Sequence, residues 1–476
     1  MPDHYTERYI NPASRGDETH KQSEEITLAH WAWDSFFSHI YPLGLCGAPA
    51  RNDFVSPPEP RLDRVNGWLG HLRELGVNAL YLGPVFESTA HGYDTADYYH
   101  VDRRLGTDES LRALVAACHD AGIRVVLDGV FNHVGRDFWA FRDVQAKGAA
   151  SAYCDWFAGL RFDGRSPYGD PFVYEGWQGH LDLVKLAVGN PALREHLFGA
   201  VESWISDFDI DGLRLDAADV LDLDFQRALA AFCRERKPDF WLVGEVVHGD
   251  YRRWANQGGL DSVTNYETYK GLYSSLVDRN YFEIAYALNR QSGPEGMYRD
   301  LPLYNFADNH DQDRVASKLL DLRHLYPLHC LLFTMPGVPS IYYGSEWALE
   351  GKRLPGDDGP VRPALDVASA PASGADPALA DAIERLAHIR AGSEALRHGG
   401  YRQLHVAAEQ LAFAREAPGQ TAIVALNAAD QTATVSVKAP HEGRWVDLLD
   451  GGAVMAVGGK LAIEVPPFWA RILVLG

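Results

Sequence analysis

Arg214 and Asp216 stand two residues apart in "DGLRLDAAD" (211–219), a stretch that otherwise reads as a buried strand. Residues at that spacing share one strand face. Burying a charge costs several kcal/mol unless the charge is paired or used. A neighbouring guanidinium keeps an aspartate ionised, which is the state a carboxylate nucleophile needs. Glu245 lies between Gly244 and Val246 at the end of an apolar run. That setting favours a raised pKa, the state a general acid needs. One ionised and one protonated carboxyl group across a site is the machinery of glycoside hydrolysis. Asp311, preceded by Asn309 and His310 in "FADNHD", is a third carboxylate, able to stabilise an oxocarbenium-like transition state or hold hydroxyls. Asn132 and His133 end another apolar segment, "IRVVLDGVFNH".

Short apolar strands alternate with longer amphipathic segments after residue 30. The strands are expected at 36–43, 78–85, 123–130, 212–216, 240–247, 262–267, 303–311 and 339–346. Helical patterns such as "RLDRVNGWLGHLRELG" and "ESLRALVAACHDAG" each end at a glycine suited to a helix C-cap. Strands apolar on both faces and alternating with helices indicate a parallel sheet. Eight such units form an α/β (β/α)8 TIM barrel, whose active site lies at the C-terminal strand ends. Taken singly, an aspartate after a strand reads as a turn former or helix cap, and a strand-end histidine as a packing residue. The same offset at five strand ends, with Arg214 beside Asp216, is harder to explain that way.

Three parts are expected: a polar N-terminal arm (1–30), a catalytic barrel (31–394) with an inserted B domain at about 134–189, and a C-terminal antiparallel β-sandwich domain (395–476). The insertion is aromatic- and glycine-rich, and long excursions in compact domains are usually functional or small subdomains. With 44 basic and 65 acidic residues the net charge is −21, which argues against nucleic acid or an anionic membrane as partner. A neutral oligosaccharide substrate is compatible with it. No apolar stretch reads as a signal peptide or a bilayer span. The five cysteines are odd in number, widely spaced and without zinc spacing, as expected of reduced packing residues in a cytoplasmic protein.

"DGVFNH" (128–133), "DGLRLDAAD" (211–219), "GEVVH" (244–248) and "FADNHD" (306–311) resemble, in order, the four signature regions of the α-amylase family, glycoside hydrolase family 13. "GYDTADYYHVD" (92–102) and "PGVPSIYYGSE" (336–346) resemble further segments of it. The resemblance implies Asp216 as nucleophile, Glu245 as general acid/base and Asp311 as transition-state stabiliser. His133, Arg214 and His310 would contact the sugar on the non-reducing side of the cleaved bond, with Tyr93 stacked beneath it. Asp94 after Tyr93, and His248 three residues after Glu245, resemble the α-glucosidase and cyclomaltodextrinase/neopullulanase groups. Ala217 after the nucleophile, where valine accompanies α-1,6 activity in related glucosidases, points to α-1,4 linkages. The implied reaction is retaining cleavage of α-1,4-glucosidic bonds in maltooligosaccharides or cyclodextrins through a covalent glucosyl-aspartate. The alternatives are an α-glucanotransferase or glucoside isomerase using the same triad, and a non-catalytic binding relative. The barrel begins near residue 35, so the N-terminal dimerising domain of many cyclomaltodextrinases is not expected, and the oligomeric state stays open. No cofactor is required. Calcium remains an option through Asn132, a ligand in many family members, although 134–189 carries no dense acidic loop. Asp358 and Arg362 in "GDDGPVRPAL" resemble the family's late substrate pair in ambiguous register. Trp139, Trp177 and Trp347 are candidate acceptor platforms.

Overall fold

The computed structural model describes residues 30–256 and 258–476. The arm expected over residues 1–30 lies outside them, apart from its last residue. Eight short strands form the barrel wall: β1 (Phe37–Ile40), β2 (Ala79–Leu82), β3 (Arg124–Gly129), β4 (Gly212–Leu215), β5 (Trp241–Gly244), β6 (Ser262–Val263), β7 (Tyr304–Phe306) and β8 (Val338–Tyr342). They pair in parallel in the order β7-β8-β1-β2-β3-β4-β5-β6. A parallel bridge between Thr264 and Tyr304 closes the ring between β6 and β7.

The long helices around it are α1 (Asp108–Asp120), α2 (Pro191–Phe208), α3 (Leu223–Arg236), α4 (Tyr266–Val277), α5 (Phe282–Ser292), α6 (Leu325–Thr334) and α7 (Leu379–Ala391). Gly122 follows α1 at φ +77, the left-handed C-terminal position that only glycine takes without strain. The pattern over 61–76 breaks at Gly67–Trp68 into two short helices, Asp63–Asn66 and Leu69–Glu74. Strand β6 is shorter than the 262–267 read from sequence. The Asn265 side chain accepts from the Thr268 N–H and caps α4 immediately after it.

The period of two along each strand builds the barrel interior in layers. Phe37, Ala79, Val126, Trp241, Tyr304 and Val338 fill its lower part with bulky apolar groups. Two residues further along the same strands the inward positions are His39, Tyr81, Asp128 and Val243, and Arg214 pairs in register with both Asp128 and Val243. The chemistry therefore sits on an apolar plug, at the C-terminal mouth.

The insertion carries a three-stranded antiparallel sheet of His133–Gly135, Gly176–Trp177 and His180–Lys185. Its hairpin turns at Gln178 (φ +50) and Gly179 (φ +86). The C-terminal region has a six-stranded antiparallel sheet and a two-stranded one. Their facing side chains, including Ile423, Leu473, Val435 and Ile463, form one core. Two of its strands, Ala453–Ala456 and Lys460–Val465, escaped sequence reading. Glycine pairs at 451–452 and 458–459 interrupt that stretch, and the second strand is buried on one face only.

Candidate active site

Arg214 is buried at the end of β4 and organises the mouth. Its Nη1 lies 2.9 Å from both Asp128 Oδ1 and Asp216 Oδ1, and its Nη2 lies 2.8 Å from Glu245 Oε2. Three carboxylates from three adjacent strand ends thus share one guanidinium, whose planar fork suits such bridging. Asp128 Oδ2 accepts from the hydroxyls of Tyr81 (2.7 Å) and Tyr93 (2.9 Å). The Tyr93 ring stacks on His310 at 5.3 Å, and His310 Nε2 lies 2.5 Å from the Tyr93 hydroxyl and 2.9 Å from Asp311 Oδ2. Asp311 Oδ1 accepts from Arg362 at 2.7 Å, and Arg362 pairs with Asp358 at 2.9 Å.

Burial pushes the Asp216 carboxyl well above its ordinary value; Arg214 opposes this, but the charges of Glu245, Asp128 and Asp311 add repulsion. The expectation from sequence that Arg214 alone would hold Asp216 ionised does not stand, because the carboxyl is buried and the cation is shared among three carboxylates. The apolar flanks of Glu245 do not enclose its carboxylate either. It reaches Arg214 and accepts from the Ala217 N–H at 3.1 Å. Ala217 holds φ +48 to point that N–H at the site, local strain of the kind found at functional positions. Burial works against ionisation of Asp311 as well, but His310 and Arg362, with Arg214 further off, hold it well below the usual carboxylate range. Burial lowers His133 to about 3, so its imidazole is neutral. His133 Nε2 lies 3.8 Å from Asp216 Oδ2 without a hydrogen-bond partner.

Asp216, Glu245, Asp311, Tyr93, His133, Arg214 and His310 therefore meet at one mouth. Asp94 does not join them through its carboxylate, which accepts from the Ala90 N–H at 3.1 Å and shapes its own loop. Asp358 and Arg362 are brought to the site despite their ambiguous register. Asp128, Tyr81 and Tyr266 went unassigned in the sequence. Asp128 begins the motif "DGVFNH" and lies two residues beyond the inward-facing Val126, a parity signal that could have found it. Of the three tryptophans, Trp177 lies 5.5 Å from the His133 ring. Trp347 is buried against His71 and Trp68, and Trp139 packs on Tyr153 and Trp156. The Asn132 side-chain amide nitrogen faces His133 Nδ1 at 3.1 Å, and its backbone carbonyl accepts from the Leu186 N–H. Among the described residues no three His, Cys, Asp or Glu side chains cluster in a metal-binding arrangement.

Residues 62–383 match the family described as "Alpha amylase, catalytic domain", and residues 401–472 match "Maltogenic Amylase, C-terminal domain". A cyclomaltodextrinase of Geobacillus thermopakistaniensis (strain MAS1) is 31% identical over 92% of this chain and 76% of its own length. Neopullulanase 2 of Thermoactinomyces vulgaris is 31% identical over 95% of this chain and 79% of its own. The solved structure of a cyclic alpha-maltosyl-(1→6)-maltose hydrolase from Arthrobacter globiformis superposes with a TM-score of 0.78 at 27% identity, covering 94% of this chain and 99% of that one. The carboxylates gathered on Arg214 at a barrel mouth are thus set in a chain that belongs to the α-amylase family of glycoside hydrolases.

Proposed function

We propose that this protein is a retaining hydrolase of α-1,4-glucosidic bonds in maltooligosaccharides or cyclodextrins. The observation that carries this reading is the pair Asp216 and Glu245 on the two terminal nitrogens of one guanidinium, with Asp311 held by His310 and Arg362 beside them. Asp216 attacks the anomeric carbon while the Glu245 carboxyl gives its proton to the glycosidic oxygen, and the leaving sugar departs. Glu245, now a carboxylate, takes a proton from water, which attacks the same carbon and frees Asp216. Because Asp216 and Glu245 lie against the same guanidinium, the attacking carboxylate and the proton donor are fixed relative to one another. Asp311, ionised by its cationic neighbours, faces the developing positive charge. The names of a cyclomaltodextrinase and a cyclic maltosyl-maltose hydrolase among the relatives support a cyclic maltooligosaccharide as one substrate. The five free cysteines fit a reducing compartment, and no helix among the described residues is long and apolar enough to cross a membrane.

The test is a product time course with maltotriose, maltoheptaose, β-cyclodextrin, pullulan and isomaltose. Short α-1,4 products with retained anomeric configuration, absent for Asp216→Asn, are expected. Products longer than the starting sugar would reassign the protein as a glucanotransferase, and cleavage of isomaltose alone would overturn the linkage.

A further inference from the structure

On the face of the barrel opposite the mouth, a cavity of about 30 Å³ lies under the entries to β7 and β8, where the C-terminal sheet packs. Arg299 lines it from the loop before β7, Arg397 and His398 from the short helix Glu394–His398, and Arg415 from the strand Gln410–Ala417. A fourth arginine, Arg390 on α7, donates to the carbonyl of Gly337 in the cavity wall at 2.6 Å. One water needs roughly 10–15 Å³ of such space. The cavity therefore takes a body the size of two or three waters.

Cations outnumber acids around it. Asp34 Oδ1 is shared by Arg397 and, at 2.7 Å, by His398, and Glu394 Oε2 lies 3.1 Å from Arg397. Arg390 and Arg415, both buried, are held by backbone carbonyls instead of carboxylates. Arg299 donates to the carbonyl of Pro294 at 3.2 Å. Burial lowers Arg390 to about 10, with the charge of Arg397 adding to the shift and Asp34 opposing it. Burial lowers Arg415 too, and Arg390 adds to that. Two guanidinium nitrogens, Arg390 Nε and Arg397 Nε, are buried without a hydrogen-bond partner. Buried donors are nearly always satisfied, by an ordered water or ion where no protein group serves. A water would meet the donors but leave the buried charge uncompensated. An anion meets both, and the guanidinium fork suits one. This local excess of cations stands in a chain whose net charge is −21.

We propose that this cavity binds one small inorganic anion, phosphate or chloride, which ties the C-terminal sheet to the barrel floor through Arg299, Arg397 and Arg415. The site stands apart from the hydrolase reading, whose substrate is neutral and lies at the other face. In calorimetric melting of the protein, sodium phosphate and sodium chloride are titrated separately. Ionic strength is fixed with sodium gluconate, an anion too large for the cavity. The melting temperature is expected to rise by about 2–4 °C and level off with at least one of the two ions. Which ion saturates separates an oxyanion from a halide. Arg299→Gln, at an exposed position where folding should be unimpaired, is expected to raise the half-saturating concentration about tenfold, and Arg397→Gln to abolish the rise. A rise that never levels off and is the same in all three proteins is a general salt effect and overturns the site. No rise beyond that in gluconate overturns it as well.

Discussion

At the scale of single residues, the mouth trades stability for charge placement, as functional sites commonly do. Asp216 binds its proton more tightly folded than unfolded. Stability is therefore lost as pH rises from the ordinary aspartate range through the elevated folded value. Asp216→Asn is expected to melt above the parent protein at pH 8, the gap closing as pH falls, while turnover drops on the order of 10⁴-fold. Asp311 has the opposite sign: its folded value is depressed, so its contribution is present above the ordinary aspartate range and lost as pH falls through it. Asp311→Asn should melt below the parent at pH 7, with His310 and Arg362 left short of a partner. Equal melting shifts for the two variants at pH 8 would refute this assignment. His133 adds a third dependence. Unfolded, it protonates below about 6.5; folded, it stays neutral down to about 3. The unfolded state holds more protons across that window, so stability is lost as pH falls through it. His133→Gln should flatten part of the decline in a melting series from pH 7 to pH 4.

At the scale of elements, the inserted hairpin decides what roofs the site. Gly176 packs so closely that a Cβ would stand 2.1 Å from the His180 carbonyl oxygen. The tight turn that follows sets Trp177 beside His133. The indole Nε1 is buried without a partner, as is His133 Nε2. Trp177→Ala is expected to raise KM for short maltooligosaccharides severalfold with little change in melting temperature. A fall in kcat at unchanged KM would instead place this residue in the chemical step.

At the scale of the whole molecule, the barrel and the C-terminal sheets share a core. Leu411, Phe413, Val424 and Ile472 belong to the same apolar cluster as the barrel helices. Buried Arg415 ties the parts together by donating to the carbonyls of Thr334, on α6, and of Gly399. Calorimetry should therefore show one cooperative transition, and Arg415→Met should lower stability by about 2 kcal/mol through two orphaned carbonyls. Two separate transitions would mean that the shared core does not couple them.

What the sequence determined by itself follows from short-range rules. The alternation of apolar strands with capped helices specifies a parallel barrel. The offset of Asp216, Glu245 and Asp311 from their strand ends places them at one mouth, and side-chain parity puts Arg214 beside Asp216. These are legible because strand period and barrel polarity hold whatever the rest of the chain does. The tertiary structure alone decided how the charges are shared. The sequence shows one arginine next to one aspartate. Only the register of β3, β4 and β5 shows that Asp128 and Glu245 reach the same guanidinium, and only the packed mouth shows the burial that, with their charges, raises Asp216 despite Arg214. The same holds for Arg362 on Asp311, 51 residues apart, and for Trp177 over His133. Electrostatic environment is a property of distances between groups far apart in the chain, and those distances exist only once the chain has folded.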